Sequence, residues 1–445
     1  MSESRAPADE GIFAGGRADR DEQDATLPAA YLAVRDRSLW LTDVLEIEDY
    51  GLQPMPDASP AKWHLAHTTW FFETFLLKPF DPHWRSVDAR YEYLFNSYYN
   101  SVGAQFPRAH RGDLSRPTVR EVLAYRAAVD DAMSALLARR SEDDEFAARV
   151  VLGLHHEEQH QELLLTDLKY AFGHNPLLPV YAHARPAPAR AAGVLGWREH
   201  VGGLVEIGRA PSPPGADRAA FEFDNETPRH RVYLEPFALA DRCVTCGEYL
   251  DFMADGGYAA PTLWLSDGWA WLQDGGPRHP LYWREADGAW FEYTLAGERP
   301  VDRDAPLTHV SFYEADAYAR WAKARLPREA EWEVVADRHG RREAGNFVET
   351  QWLHPVCSGS AGDDGPADLF GNQWEWTCSA YAPYPGFAPA AGALGEYNGK
   401  FMSNQVVLRG GSCVTPQAHV RASYRNFFYP PDRWQFTGVR LARDL

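Results

Sequence analysis

One stretch restricts the fold of this chain more than any other: His155-His156-Glu157-Glu158-Gln159-His160. It lies in a proline-free run from Glu145 to Phe172, in which Val151, Leu152, Leu163, Leu164 and Leu168 form an apolar stripe. That periodicity predicts an amphipathic helix packed on a core. Ser141 and Asp143 offer caps before it, and Gly173 followed by Pro176 supplies a stop. On such a helix His156 and His160 project side by side, one turn apart, where two imidazoles can share one metal ion. Gln159 leans over the same face, whereas His155 points about 100° away around the axis and is the poorer ligand.

Two metal chemistries compete for this pattern. Read literally, His156 to His160 is H-E-x-x-H, a zinc metallopeptidase pattern with Glu157 as general base. Its extended form, with a third histidine downstream, fails because Leu163 and Thr166 stand at the required glycine and histidine. The other reading is an H-x-x-x-H pair completed by a histidine from a different helix. The plain alternative to both is a pair of solvated histidines on a polar helix face.

Composition narrows the function classes. A chain of 445 residues is long enough for two or three domains with real cores. A formal charge of −19 argues against nucleic acid or an anionic membrane as partner. No run approaches the ~18 consecutive apolar residues of a membrane span. Residues 1–27 are polar, with no apolar signal region, and predict a disordered lead-in to a cytoplasmic protein. Five cysteines, an odd number, do not read as a disulfide framework. Cys243-Val244-Thr245-Cys246 is a C-x-x-C without a second pair at zinc spacing, and reads as structural.

Four helices are expected before residue 175: Pro28 to Glu46, a second from Ser59 and Pro60 to Leu77, a third from Val119 to Arg140, and the His156/His160 helix. The second carries His64 and His67. A long connection from Pro79 to Pro117 separates it from the third, and connections of that length are usually functional. It holds Tyr98, Tyr99, Arg108 and Arg111. Four helices with one long crossover predict a four-helix bundle over residues 28–175, a known setting for core metal sites. The Pro/Ala-rich residues 176–198 read as a linker, and residues 199–445 as an irregular α+β domain with two short helices, near Ser311–Ala324 and Arg328–Asp337.

The second half resembles the formylglycine-generating/sulfatase-modifying enzyme family, a C-type-lectin-like fold. The matching phrases include Thr308-His309-Val310-Ser311-Phe312-Tyr313, Arg325-Leu326-Pro327-Arg328-Glu329, Gly371-Asn372-Gln373-Trp374-Glu375-Trp376 and Arg409-Gly410-Gly411-Ser412, closed by Arg421 to Leu441. The first half looks like a DinB-type bundle. Its Trp63-His64-Leu65-Ala66-His67 and His156-Glu157-Glu158-Gln159-His160 are similar to those of the ergothioneine-biosynthesis sulfoxide synthases of EgtB type. The two halves together are more telling than either alone.

That resemblance implies a non-haem iron(II) enzyme that uses O₂ to join a thiol sulfur to the imidazole C2 of hercynine. Carried over residue by residue, it makes His67, His156 and His160 the iron ligands and leaves His64 outside the match. Imidazole suits iron(II), and three neutral ligands leave open positions on the metal. Gln159 is expected to hydrogen-bond the hercynine imidazole. Tyr98 and Tyr99 resemble the tyrosine pair of one subgroup, in which a phenol near the metal donates a proton. Arg108 matches the sulfur donor's carboxylate clamp, with Arg111 beside it. Asn426 matches the asparagine holding hercynine's amino-acid end.

Two departures matter. The subgroup using γ-glutamylcysteine has an acid two places beyond that asparagine; here it is Phe428, which favours free cysteine. Phe427 and Phe428 are expected against the trimethylammonium, with Arg433 and Gln435 finishing the donor pocket. Only Cys413 stands where formylglycine-generating enzymes use two cysteines, so that reaction is not expected. A selenoneine synthase, taking a seleno-sugar, has the same architecture. A zinc metallopeptidase and a non-catalytic lectin-like binding module are the distant alternatives.

Overall fold

The computed structural model describes residues 26–445 except 141, 213–217, 360–364 and 397. Nearly all of the expected lead-in, and Ser141 as a cap, therefore lie outside the described residues. The bundle is formed by α1 (Leu27–Trp40), α2 (Ala61–Phe72), α3 (Val119–Arg140) and α4 (Asp144–Gly173). α1 ends at Trp40 rather than Glu46: Thr42 Oγ1 donates back to the Ser38 carbonyl, and Tyr50 draws on the Thr42 carbonyl, folding the chain over. α2 does not stop at Pro79. A π-turn over Glu73–Leu77 absorbs the irregularity, and a last turn, Lys78–Phe80, takes the proline at its start, where no N–H is needed. Ser59 does not cap α2 either; its hydroxyl accepts from Arg111 Nη1 at 2.9 Å. Asp143 does cap α4, accepting from the Phe146 N–H at 3.2 Å.

α4 is buried on nearly every side, because the bundle covers one face and the second domain another. Gly153 lets α2 come close: a Cβ there meets Phe72 Cε1 at 2.8 Å and Phe71 Cε1 at 3.1 Å. Tyr31, Val34, Trp70, Phe72, Leu76, Val129, Met133, Leu137, Leu154 and Leu165 fill the bundle core, each large apolar side chain contributing about 1.5–3 kcal/mol on burial. Within this core, Glu157 accepts from Arg35 Nη1 at 2.9 Å, Arg126 Nη2 at 2.6 Å and Ser38 Oγ at 2.6 Å, pinning α4 to α1 and α3.

The long crossover is held by both domains. Asn96 accepts from the Tyr99 N–H at 3.1 Å and donates to the Tyr99 carbonyl at 3.0 Å, closing a tight loop. Glu396 accepts from the backbone N–H groups of Asn100 and Ser101, both at 2.8 Å. The segment read as a linker is anchored at one end, where Tyr181 is buried and donates to the Leu41 carbonyl at 2.7 Å and His183 stacks on Trp40, while Leu177 and Val194 stay exposed.

The second domain begins with β1 (Trp197–His200), β2 (Gly203–Ile207), β3 (His230–Leu234) and β4 (Phe237–Ala240). Then come α5 (Cys246–Ala254), α6 (Ser266–Gln273), β5 (Trp283–Ala286), β6 (Ala289–Thr294), β7 (Gly297–Pro300), α7 (Phe312–Trp321) and α8 (Glu329–His339). It closes with β8 (Trp374–Ala380), β9 (Val406–Arg409), β10 (Asn426–Phe428), β11 (Thr437–Gly438) and β12 (Ala442–Asp444). The sheets run β1-β4-β12, β10-β9-β8-β11, β2-β3 and β5-β6-β7. Among the described residues four α-helices rather than two interrupt them; α5 is short but capped reciprocally by Thr245 and Glu248. β10 pairs antiparallel to β9 at the edge of its sheet, and its Asn426, Phe427 and Phe428 line a cavity that residues of α4 also line. Cys243, Cys246, Cys357, Cys378 and Cys413 are all free thiols.

Across the domain boundary, Glu162 on α4 accepts from Trp374 Nε1 at 2.6 Å, Thr415 Oγ1 at 2.8 Å and Ser412 Oγ at 3.0 Å. Gln159 donates to the Tyr424 hydroxyl at 2.6 Å. α4 is thus one wall of both domains. Among the described residues no helix is long and apolar enough to cross a membrane.

Candidate metal centre and inter-domain cavity

α2 and α4 bring His67, His156 and His160 together with every side chain buried and one donor atom from each within 4.8 Å of the others. The ring centroids form a near-equilateral triangle, with sides of 5.0, 4.7 and 4.7 Å. His67 Nε2 lies 3.2 Å from His156 Nε2. Burial, and for His67 and His160 the neighbouring imidazoles, push all three well below the ordinary histidine range, His156 to about 3. The rings are neutral at physiological pH, as ligands must be.

Hydrogen bonds fix which nitrogen the His67 and His160 rings offer. His67 Nδ1 faces the Phe95 carbonyl at 2.5 Å, so Nδ1 carries the proton and Nε2 the lone pair. His160 Nδ1 meets His64 Nδ1 at 2.8 Å, and His64 Nε2 meets Asp167 Oδ2 at 3.2 Å. Asp167, held by the Ser59 N–H at 2.8 Å, takes the proton on His64 Nε2; His64 Nδ1 then accepts from His160 Nδ1. That leaves His160 Nε2 as the free lone pair, and this buried atom has no hydrogen-bond partner among the described residues. Such second partners orient metal ligands and raise their basicity. The donor set therefore fits a divalent first-row metal such as iron(II).

A cavity of about 330 Å³ lies between the domains and reaches the triad through His160 and His64. Tyr98, Arg108, Arg111, Gln159, Asn426, Phe427, Phe428 and Gln435 line it. Arg111 is buried, its guanidinium 3.4 Å over the Trp63 ring and donating to Ser59 and Ser97 hydroxyls. Among the described residues no carboxylate pairs with it and its Nε has no partner, and burial with Arg108 nearby pushes it down to about 9. A buried cation in that state favours an incoming anion. Arg108 is exposed at the rim and donates to the Asp57 carbonyl. Gln435 is buried, with no partner for its Nε2. Phe427 stacks on Tyr381 at 4.0 Å, and Phe428 packs edge-on against Trp434.

Two expected site residues lie elsewhere. Tyr99 does not line the cavity: the Asn96 loop turns it into the bundle core against Trp70, Phe71 and Phe75, where burial raises its pKa well above the usual phenol value. Arg433 turns away, donating to the His279 carbonyl at 2.8 Å and to Glu314 Oε1 at 3.3 Å. Glu157 cannot serve as a peptidase base, since Arg35, Arg126 and Ser38 hold its carboxylate inside the bundle.

Three participants were not legible as such. Asp167 lies seven residues beyond His160, two helical turns along one face, a spacing that signals a partner. Asp432 lines the cavity with Asp57, and burial, then the Asp57 charge, raises it to about 7. Tyr424 lies within the matched C-terminal phrase but its bond to Gln159 needs the folded interface.

A helical bundle bearing three neutral imidazoles, roofed by a mixed α/β domain, defines a two-domain enzyme with its site at the junction. Residues 30–164 match the DinB superfamily and residues 201–445 the sulfatase-modifying factor enzyme 1-like domain. The chain is 33% identical over 439 residues to the hercynine oxygenase of Mycobacterium tuberculosis, covering 94% of this chain and 98% of that one. It is likewise 33% identical over 444 residues to that of Mycolicibacterium smegmatis, with 94% and 99% coverage. A formylglycine-generating enzyme of Streptomyces coelicolor matches at 29% over 322 residues, 59% of this chain and 96% of that one. The chain belongs to the hercynine oxygenase family of ergothioneine-biosynthesis sulfoxide synthases.

Proposed function

We propose that this enzyme is an iron(II)- and O₂-dependent sulfoxide synthase that joins the sulfur of cysteine, or of γ-glutamylcysteine, to the imidazole C2 of hercynine. The observation that carries the reading is a neutral three-histidine centre opening, through His160, into a cavity with an unpaired buried arginine on its wall. The relatives' name, hercynine oxygenase, supports hercynine as the substrate. Overall a C–H and an S–H bond break and a C–S bond forms; one oxygen atom of O₂ ends in the sulfoxide and the other in water.

Iron(II) on His67, His156 and His160 would supply O₂ activation and a Lewis acid for the thiolate. Arg111, with Arg108 at the rim, holds the donor's carboxylate. Asp432, not position 428, supplies the carboxylate for the donor's ammonium. Gln159, oriented by Tyr424, addresses the hercynine imidazole, and Asn426 its amino-acid end. Phe427 and Phe428 offer ring faces to the trimethylammonium. Tyr98 carries the phenol that donates a proton in the cavity.

The test is anaerobic loading with iron(II), then hercynine, air, and cysteine or γ-glutamylcysteine in parallel, read by mass spectrometry. A hercynyl-cysteine sulfoxide supports the reading in full. Product from γ-glutamylcysteine alone supports the reaction with that thiol as the donor, and no product from either overturns the reaction.

A further inference from the structure

α4 carries a second convergence of donor atoms. His155 lies about 100° around the helix from His156 and faces the C-terminal domain together with Glu158, one turn further on. There they meet His419, in the short turn Gln417–His419. The three side chains are 1%, 0% and 0% exposed. His155 Nδ1 is 3.0 Å from His419 Nδ1 and 3.1 Å from Glu158 Oε2, and His419 Nδ1 is 3.6 Å from the same oxygen. Donor atoms bound about 2.1 Å from one zinc-class ion stand roughly 3.0–3.4 Å apart, between octahedral and tetrahedral angles. The observed triangle is of that size.

A shared proton explains only part of it. One proton between the two Nδ1 atoms satisfies that pair and leaves Glu158 Oε2, 3.1 and 3.6 Å from the same two atoms, with no well-aligned donor among the described residues. A divalent cation at the centre satisfies all three atoms at once. The carboxylate is ionised and aimed by cations on its other oxygen: Arg218 donates to Oε1, and Arg37 lies 3.8 Å from it. Arg37 is itself 3.5 Å from Glu349, which limits the local positive excess. Phe221 stacks on His155 at 4.2 Å and fixes its ring. None of the three residues lines the inter-domain cavity, so the arrangement is closed, as structural metal sites are.

We propose that His155, Glu158 and His419 form a second metal site, taking a divalent zinc-class ion that ties α4 to the C-terminal domain. Two imidazole nitrogens and one carboxylate oxygen suit zinc, iron(II) or manganese. The test loads the full chain with zinc, removes excess by gel filtration, and measures metal by mass spectrometry. Wild type should hold two equivalents, and the His156→Ala/His160→Ala variant one. Adding Glu158→Gln or, separately, His419→Gln to that background should abolish the remaining equivalent and the zinc-dependent rise in melting temperature. Cobalt(II) absorption in the His156→Ala/His160→Ala variant reads the same site in folded protein, whatever the added substitutions do to stability. No metal in the His156→Ala/His160→Ala variant, or an equivalent indifferent to both added substitutions, overturns the proposal.

Discussion

Replacing Glu157 by alanine is expected to destabilise the bundle rather than to remove a catalytic base. The carboxylate receives charge-assisted bonds from Arg35 at 2.9 Å and Arg126 at 2.6 Å, and a third from Ser38 at 2.6 Å, with no exposure of its own. Deleting one partner of a buried ion pair leaves the others charged and dry, which costs about 3–5 kcal/mol. At ~2–4 °C per kcal/mol for a unit of this size, the bundle's melting temperature falls by roughly 6–20 °C. Thermal melts followed by far-ultraviolet circular dichroism read this directly. Burial alone raises the Glu157 pKa, but Arg126 and Arg35 outweigh it and hold the carboxyl below its usual range. Its contribution is therefore full above the unfolded-state pKa and is lost as pH falls through the folded value. The difference between wild type and Glu157→Ala should shrink accordingly in acid. An unchanged melting temperature with metal-dependent activity abolished would refute the reasoning and return Glu157 to the metal.

Three further outcomes follow from the cavity. Tyr98→Phe should divert O₂ use from sulfoxide formation to thiol oxidation, whereas Tyr99→Phe should keep the product ratio; equal effects in product analysis would contradict the placement of Tyr99 in the core. Asp432 is raised to about 7, so its ammonium-binding form accumulates as pH rises. KM for cysteine should fall through that range in wild type and not in Asp432→Asn, with KM for hercynine unchanged; parallel profiles would remove Asp432 from the donor site. His64→Gln and Asp167→Asn should weaken iron(II) binding about 10–100-fold, measured against a competing chelator. Unchanged affinity in both would show that His160 needs no such orientation.

The metal helix was legible because its signal is local: an apolar stripe, a capping aspartate and two histidines one turn apart lie within thirty residues. His67 needed the family resemblance, since nothing in Trp63 to His67 says which of its two histidines faces α4. The structure gives both a task, His67 facing His156 and His64 facing His160. Identical spacing cannot separate those roles, because only the partners on α4 and the Phe95 carbonyl decide them. Which of Tyr98 and Tyr99 faces the cavity was not legible for a similar reason. Adjacent residues in a loop point to different sides, and Asn96 decides which one turns inward. Position 428 is the most instructive case. Comparing one position finds no acid at Phe428, whereas the folded Tyr429–Trp434 turn places Asp432 on the cavity wall. A pocket needs a charge at a point in space, and a loop can supply it from a different residue, so the missing acid at Phe428 does not by itself distinguish cysteine from γ-glutamylcysteine.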